Sequence, residues 1–199
     1  MLFMEKNKGE IKLKFKNIIL HFNTITKHRW IVFKLSVKAG IPWRGLVHDL
    51  SKYSPTEFFE GVKYYQGNRS PIFACVEETG YSKARLHHRG RNKHHPQYWY
   101  DEFAKIKEPI MPYKYVAEMI CDQIAASKTY EGASWTNQSI LRYWNKVEER
   151  VHLNPKLKKM LTEIYKRIGK EGVNKVIKGK ILKEAYYRNI SEAKQNEYK

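Results

Sequence analysis

Eight histidines occur in this chain of 199 residues. Most of them fall in one stretch that also holds two notable aspartates. The set is His28, the dyad His48-Asp49, the pairs His87-His88 and His94-His95, and Asp122 inside the otherwise apolar run Met119-Ile120-Cys121-Asp122-Gln123-Ile124. Neutral imidazole ligates Zn, Fe, Ni and Co, whereas carboxylate suits harder ions such as Mn. A mixed set therefore fits one or two divalent transition ions (Mn, Fe, Zn, Co or Ni) that polarise a phosphoryl oxygen and activate water. The candidate ligands are His28, His48, Asp49, His88, His94, His95 and Asp122.

Helix geometry restricts how these residues can meet. Neighbours on a helix point about 100° apart, so His48 and Asp49 reach one ion only at a helix end, or else serve two ions with Asp49 between them. His88 and His95 would stand about 10 Å apart along an unbroken helix, too far for one ion. Gly90 and Asn92 offer a break that lets the two pairs fold together. Of two adjacent histidines usually one reaches a given ion. His88 is preferred to His87, and His94 and His95 stand level. Plainer readings exist: Asp122 could pair with a buried Arg or Lys, and His21 and His152 read as packing or surface residues.

The order His28, then His48-Asp49, then Asp122 resembles the H…HD…D pattern of the HD-domain superfamily of metal-dependent phosphohydrolases. The stretches Lys27-His28-Arg29-Trp30, His48 through Phe58, and Asn92 through Trp99 more closely resemble a bacterial and phage family of unknown function that carries an HD-like motif. The resemblance covers roughly residues 20–150. It implies an all-α, HD-domain-like helical bundle with ligands drawn from separate helices. It further implies His28, His48, Asp49 and Asp122 as the metal core, with His88, His94 and His95 serving a second ion or the substrate phosphate. Asp49 and Lys52 would be the catalytic residues, Lys52 holding a phosphate oxygen. Arg85, Arg89 and Arg91 lie near the second histidine group and could grip another phosphate with their planar forks. They read equally well as a solvated basic face. The functions to separate are a phosphohydrolase acting on a nucleotide or other small phosphate ester, a di-iron oxygenase on the same scaffold, and a non-enzymatic nucleic-acid binder.

The net charge of +18 implies an anionic partner, which is either a small molecule such as a nucleotide or nucleic acid held by basic termini. Met1–Lys38 holds 9 basic and 2 acidic residues, and residues 151–199 hold 13 and 5. Two cysteines, Cys75 and Cys121, are too few for a disulfide scaffold and suit a reducing cytoplasm. Met1–Lys16 reads as neither signal peptide nor membrane helix. A metal-binding domain over residues 1–150 and a basic helical extension over 151–199 are expected.

Helical periodicity must position these residues. Glu10–Phe22 places Ile11, Leu13, Phe15, Ile18, Ile19 and Phe22 on one face, and Thr26–Ala39 continues it to a stop at Gly40. Pro42 opens a short helix ending near the dyad. Ser54-Pro55-Thr56-Glu57 predicts a capping box and a helix to about Gln66. Residues 68–80 read as a loop with a turn at Pro71–Glu78. Ser82 caps a helix over Lys83–His88. Further helices are expected over Pro112–Tyr130, over Asn137–Leu153 and from Asn154-Pro155 onward. Trp30, Trp43, Tyr98 and Trp99 are expected in the core.

Overall fold

A computed structural model describes the backbone of residues 2–191 and the side chains of residues 15–191. Among the described residues the chain is all-α, with no strand. The helices are α1 (Leu2–Lys38), α2 (Pro42–Val47), α3 (Pro55–Lys63), α4 (Pro71–Thr79), α5 (Lys83–Arg91), α6 (Tyr113–Glu131), α7 (Ser139–Val147), α8 (Pro155–Glu171), α9 (Val173–Val176) and α10 (Gly179–Ser191).

Local chemistry sets most of the boundaries. Proline stands at the start of α2, α3, α4 and α8, where its missing N–H costs nothing. Ser54, Ser82 and Asn154 accept first-turn N–H groups through their side chains. Glu57 does not close the expected capping box, because its carboxylate turns inward to His87 and His88. The expected loop at 68–80 is instead α4. Pro71 opens that helix, and Gly80, at φ 80°, supplies its left-handed stop. α5 passes through Gly90 and ends at Asn92. The segment 137–153 is helical only over α7, which is followed by a 3-10 turn, Glu148–Arg150.

α1 packs on α2, α3 and α6; α3 packs on α4 and α5; α8 packs on α7 and α10. Val32 of α1, Ile120 and Ile124 of α6, Trp144 of α7, Leu161 and Tyr165 of α8, and Leu182 of α10 belong to one hydrophobic core. Burying each such side chain contributes roughly 1.5–3 kcal/mol. The basic segment beyond residue 150 thus shares the core of the histidine-bearing helices, and Tyr165 donates to Gln123, the neighbour of Asp122. Residues 192–199 of that segment lie outside the described residues, as do the side chains of Ile11 and Leu13.

α1 turns a different face inward from the one expected. Phe15, Ile19 and Phe22 are exposed, while His21, Ile25, His28, Val32 and Leu35 are buried. The inward face carries the chemistry as well as the packing. Trp30 and Trp43 are also outside the core, at 58% and 69% exposure; Trp30 stacks on Phe33 under Lys34. Trp99 packs against the core, and Tyr98 is exposed.

Candidate metal centre

The dyad sits where α2 ends. Asp49 has φ 52° and ψ 30°, left-handed backbone that among non-glycine residues Asp and Asn tolerate best. The reversal turns two neighbouring side chains toward one point, which a continued helix could not do. Gly45, one turn earlier, lets α2 press against α1: a Cβ there would stand 2.5 Å from the Ser36 Cβ and 3.1 Å from the Phe33 Cα.

All seven candidate ligands converge. One group joins His28, His48, Asp49 and Asp122; a second joins Asp49, His88, His94 and His95; within each, one ligand atom per residue lies within 4.8 Å of the others. Asp49 belongs to both, with a different oxygen toward each. Its Oδ2 is 3.2 Å from His48 Nε2 and 4.0 Å from His28 Nε2. Its Oδ1 is 3.3 Å from His88 Nε2 and 3.5 Å from His94 Nε2. Asp122 spans the groups too, with Oδ1 3.1 Å from His28 Nε2 and Oδ2 3.7 Å from His94 Nε2.

These atoms are close without forming hydrogen bonds. His28 Nε2, His48 Nε2, both ring nitrogens of His94, His95 Nε2 and Asp49 Oδ1 are buried with no hydrogen-bond partner, and Asp49 Oδ2 has only its ion pair with Lys52. Orphaned buried polar atoms are costly and uncommon, and here they face one another. A divalent ion satisfies both lone-pair types, so the residues fit a metal. This cluster of buried His, Asp and Glu side chains could hold one.

Two carboxylates hold the imidazoles from behind. His48 Nδ1 donates to Glu118 Oε1 at 3.0 Å, leaving Nε2 free to ligate. His94 Nδ1 is 3.4 Å from the same oxygen. Glu118 is fully buried, and its other oxygen accepts from Arg44 Nε at 2.7 Å. Glu57 accepts from His88 Nδ1 through Oε2 and from His87 Nδ1 through Oε1, each at 2.7 Å. His87 therefore supports the cluster from outside. Such carboxylate–imidazole pairs fix the tautomer and ring orientation of metal-ligating histidines. Sequence reasoning missed Glu118 and Arg44 and gave Glu57 a different role. Glu118 had a signal: it stands one turn before Asp122, on the same face of α6.

The charge states suit ligation. Burial would raise the Asp49 carboxyl, but His48, Lys52 and His88 outweigh it and hold Asp49 well below the usual carboxylate range. Burial is likewise overcome at Asp122, by His28, His48 and His94. At Glu118 the two histidines bring the carboxyl down to about 2. Burial, aided by Lys52, lowers His28, and burial with His94 and His88 lowers His95, so both stay neutral. His48 is the exception: burial would lower it, but Asp49, Asp122 and Glu118 raise it well above the ordinary value.

Lys52 Nζ lies 2.7 Å from Asp49 Oδ2, and its side chain is 31% exposed. With His28, His88, His95 and Asp122 it lines a cavity of about 500 Å3. Arg85, Arg89 and Arg91 do not line that cavity. Burial and Arg85 lower the Arg89 guanidinium to about 10.

The fold and the cluster define an all-α protein with a buried, cavity-lined histidine–carboxylate centre. Residues 17–167 match the family of unknown function DUF5662, and the chain belongs to that family. No curated protein and no solved structure matches it. No helix among the described residues is long and apolar enough to cross a membrane.

Proposed function

We propose that the protein is a metal-dependent phosphohydrolase of the HD-domain kind, acting on a nucleotide or another small phosphate ester. The observation that carries this reading is the sharing of Asp49 between two ligand groups at the wall of a cavity that Lys52 also lines. The order His28, His48-Asp49, Asp122 agrees with the HD pattern.

His28, His48, Asp49 and Asp122 would hold one divalent ion, and Asp49, His88, His94 and His95 a second. Bound there, such ions activate water and polarise phosphoryl oxygens. The chain's own part is positioning and charge. Asp49 fixes the spacing between the two groups. Lys52, on the cavity wall beside Asp49, would steady a phosphate oxygen. Glu118 and Glu57 keep the imidazole lone pairs on target. The water oxygen bonds to phosphorus as the P–O ester bond breaks, and the proton the water loses goes to the departing alkoxide.

The test is metal content and phosphate release by the purified full-length protein across a panel of phosphate esters. Asp49→Asn retains the left-handed backbone and removes the shared charge, so it is expected to lose both metal and turnover. A folded wild-type protein that takes up no divalent ion would overturn the reading.

One observation favours a second reading, a di-iron oxygenase: the group around Asp49 with His88, His94 and His95 is histidine-rich, and imidazole suits iron. Two irons per chain with oxygen-dependent turnover would select it. Oxygen-independent hydrolysis with Mn or Zn would exclude it.

A further inference from the structure

The cavity extends from the histidine–aspartate cluster along α1 to His21. His21 is 7% exposed, its Nδ1 is buried without a partner, and neither ring nitrogen bonds a described residue. The ring is held between Phe58 and Tyr65, at centroid distances of 5.5 and 5.7 Å. Gly61 makes the room, since a Cβ there would stand 2.2 Å from His21 Nε2. Burial, with Lys52 adding to it, lowers the imidazole to about 4, so the ring is neutral at pH 7. A buried imidazole nitrogen without a hydrogen-bond partner costs stability that a hydrogen-bonding ligand would recover.

The cavity has a sharp charge pattern. Lys52 stands at the cluster end. The other cation on its wall, Arg69, is forked onto Glu77 at 2.8 and 2.6 Å. Glu60 and Glu131 are on the wall as well, and Ile25, Ile72, Phe73, Ala126, Tyr130 and Tyr143 supply apolar and aromatic surface. A second or third phosphate placed beyond Lys52 would meet carboxylates rather than free cations. Length is set by α1: His21 and His28 are two turns apart on one face, a rise of about 10 Å.

We propose that this cavity binds the body of a phosphate monoester, with its single phosphate at Lys52 and the His/Asp cluster. The body is uncharged and partly aromatic, spans about 10 Å, and offers a hydrogen-bonding group to His21. A nucleoside 5′-monophosphate meets these requirements; a nucleoside triphosphate has too much charge, and glycerol 3-phosphate too short a body. The proposal rests on the phosphohydrolase reading for its phosphate end and on the cavity alone for its body end.

The experiment uses metal-loaded full-length protein with the four ribonucleoside 5′-monophosphates, their triphosphates and glycerol 3-phosphate. It reads phosphate release and, separately, equilibrium binding by calorimetry. At least one monophosphate should exceed its triphosphate and glycerol 3-phosphate about tenfold or more in kcat/KM. His21→Phe keeps the ring and removes its hydrogen bonding. It should raise that KM by up to about tenfold with metal content retained. Equal use of triphosphate, or a KM untouched by His21→Phe, overturns the substrate class and leaves the phosphohydrolase reading standing. If no ester is cleaved, the phosphohydrolase reading fails, and binding decides the rest. Monophosphate binding that weakens in His21→Phe upholds the body site, and absent or His21-independent binding overturns it.

Discussion

Asp49 and Glu118 are each shared by the two halves of the centre, and their effects should be separable. Asp49 faces both ligand groups directly, whereas Glu118 acts through His48 and His94. Glu118→Gln keeps the shape, weakens the hydrogen bond to His48 and removes the charge beside His94. Metal affinity should fall about 10–100-fold with the helical circular-dichroism signal intact, as for other residues that orient ligating histidines. Acid should act at the same place. His48 binds its proton more tightly than an ordinary imidazole when no ion is present. A metal must displace that proton, so affinity measured by competition with a chelator should decline as pH falls, beginning above the ordinary histidine value of about 6.5. An affinity constant from pH 8 to pH 6 would contradict the assignment of His48 as a ligand. The seven candidate ligands were legible in the sequence because His and Asp types and the dyad mark them. Glu118 was hidden because a carboxylate inside an apolar helix also reads as half of an ion pair, and Arg44 does pair with it.

The helices were mostly legible because their caps are strong local signals; what they bury was less so. The exposed Phe15, Ile19 and Phe22 are apolar and correctly periodic, but periodicity does not say which of two competing faces packs. α4 was missed because nine residues beginning Pro-Ile-Phe and rich in β-branched side chains carry a weak helical pattern, stabilised here by packing on α3. The break needed between His88 and His95 was expected at Gly90 and Asn92; α5 runs through Gly90 and ends at Asn92, whose side chain bonds Ser51 and the His88 carbonyl. The break at Asn92 brings His88 from the last turn of α5 and His94 from the following turn to one carboxylate. α2 approaches α1 closely at Gly45. Gly45→Ala should drive α2 off α1 at Ser36 and Phe33, costing about 1–3 kcal/mol in a denaturant melt and lowering metal affinity through displacement of the dyad. Wild-type affinity in Gly45→Ala would show that the dyad does not depend on this approach.

Across the whole molecule, composition and packing divide the chain differently. Charge sets residues 151–199 apart, yet Leu157, Leu161, Ile164 and Leu182 are fully buried in the core that α1 and α6 share. A chain cut after residue 150 should therefore expose that core and lose cooperative thermal unfolding. A truncated chain that melts cooperatively would show instead that the first 150 residues fold by themselves. The same packing ties the basic segment to the centre, since α8 steadies the part of α6 that carries Asp122 through the Tyr165–Gln123 bond. The net charge of +18 draws anions toward the molecule. Within the cavity, the arrangement of Lys52, Arg69 and the carboxylates is what would select among them.

Asp49 is expected to join two ion sites, and anomalous X-ray scattering from crystals of the metal-loaded protein distinguishes that arrangement from a single site or none. Two anomalous peaks are expected on either side of the Asp49 carboxylate, one beside His28, His48 and Asp122, the other beside His88, His94 and His95. Density for the folded protein with no ion against Asp49, after loading with Mn, Fe, Zn, Co and Ni in turn, would contradict it.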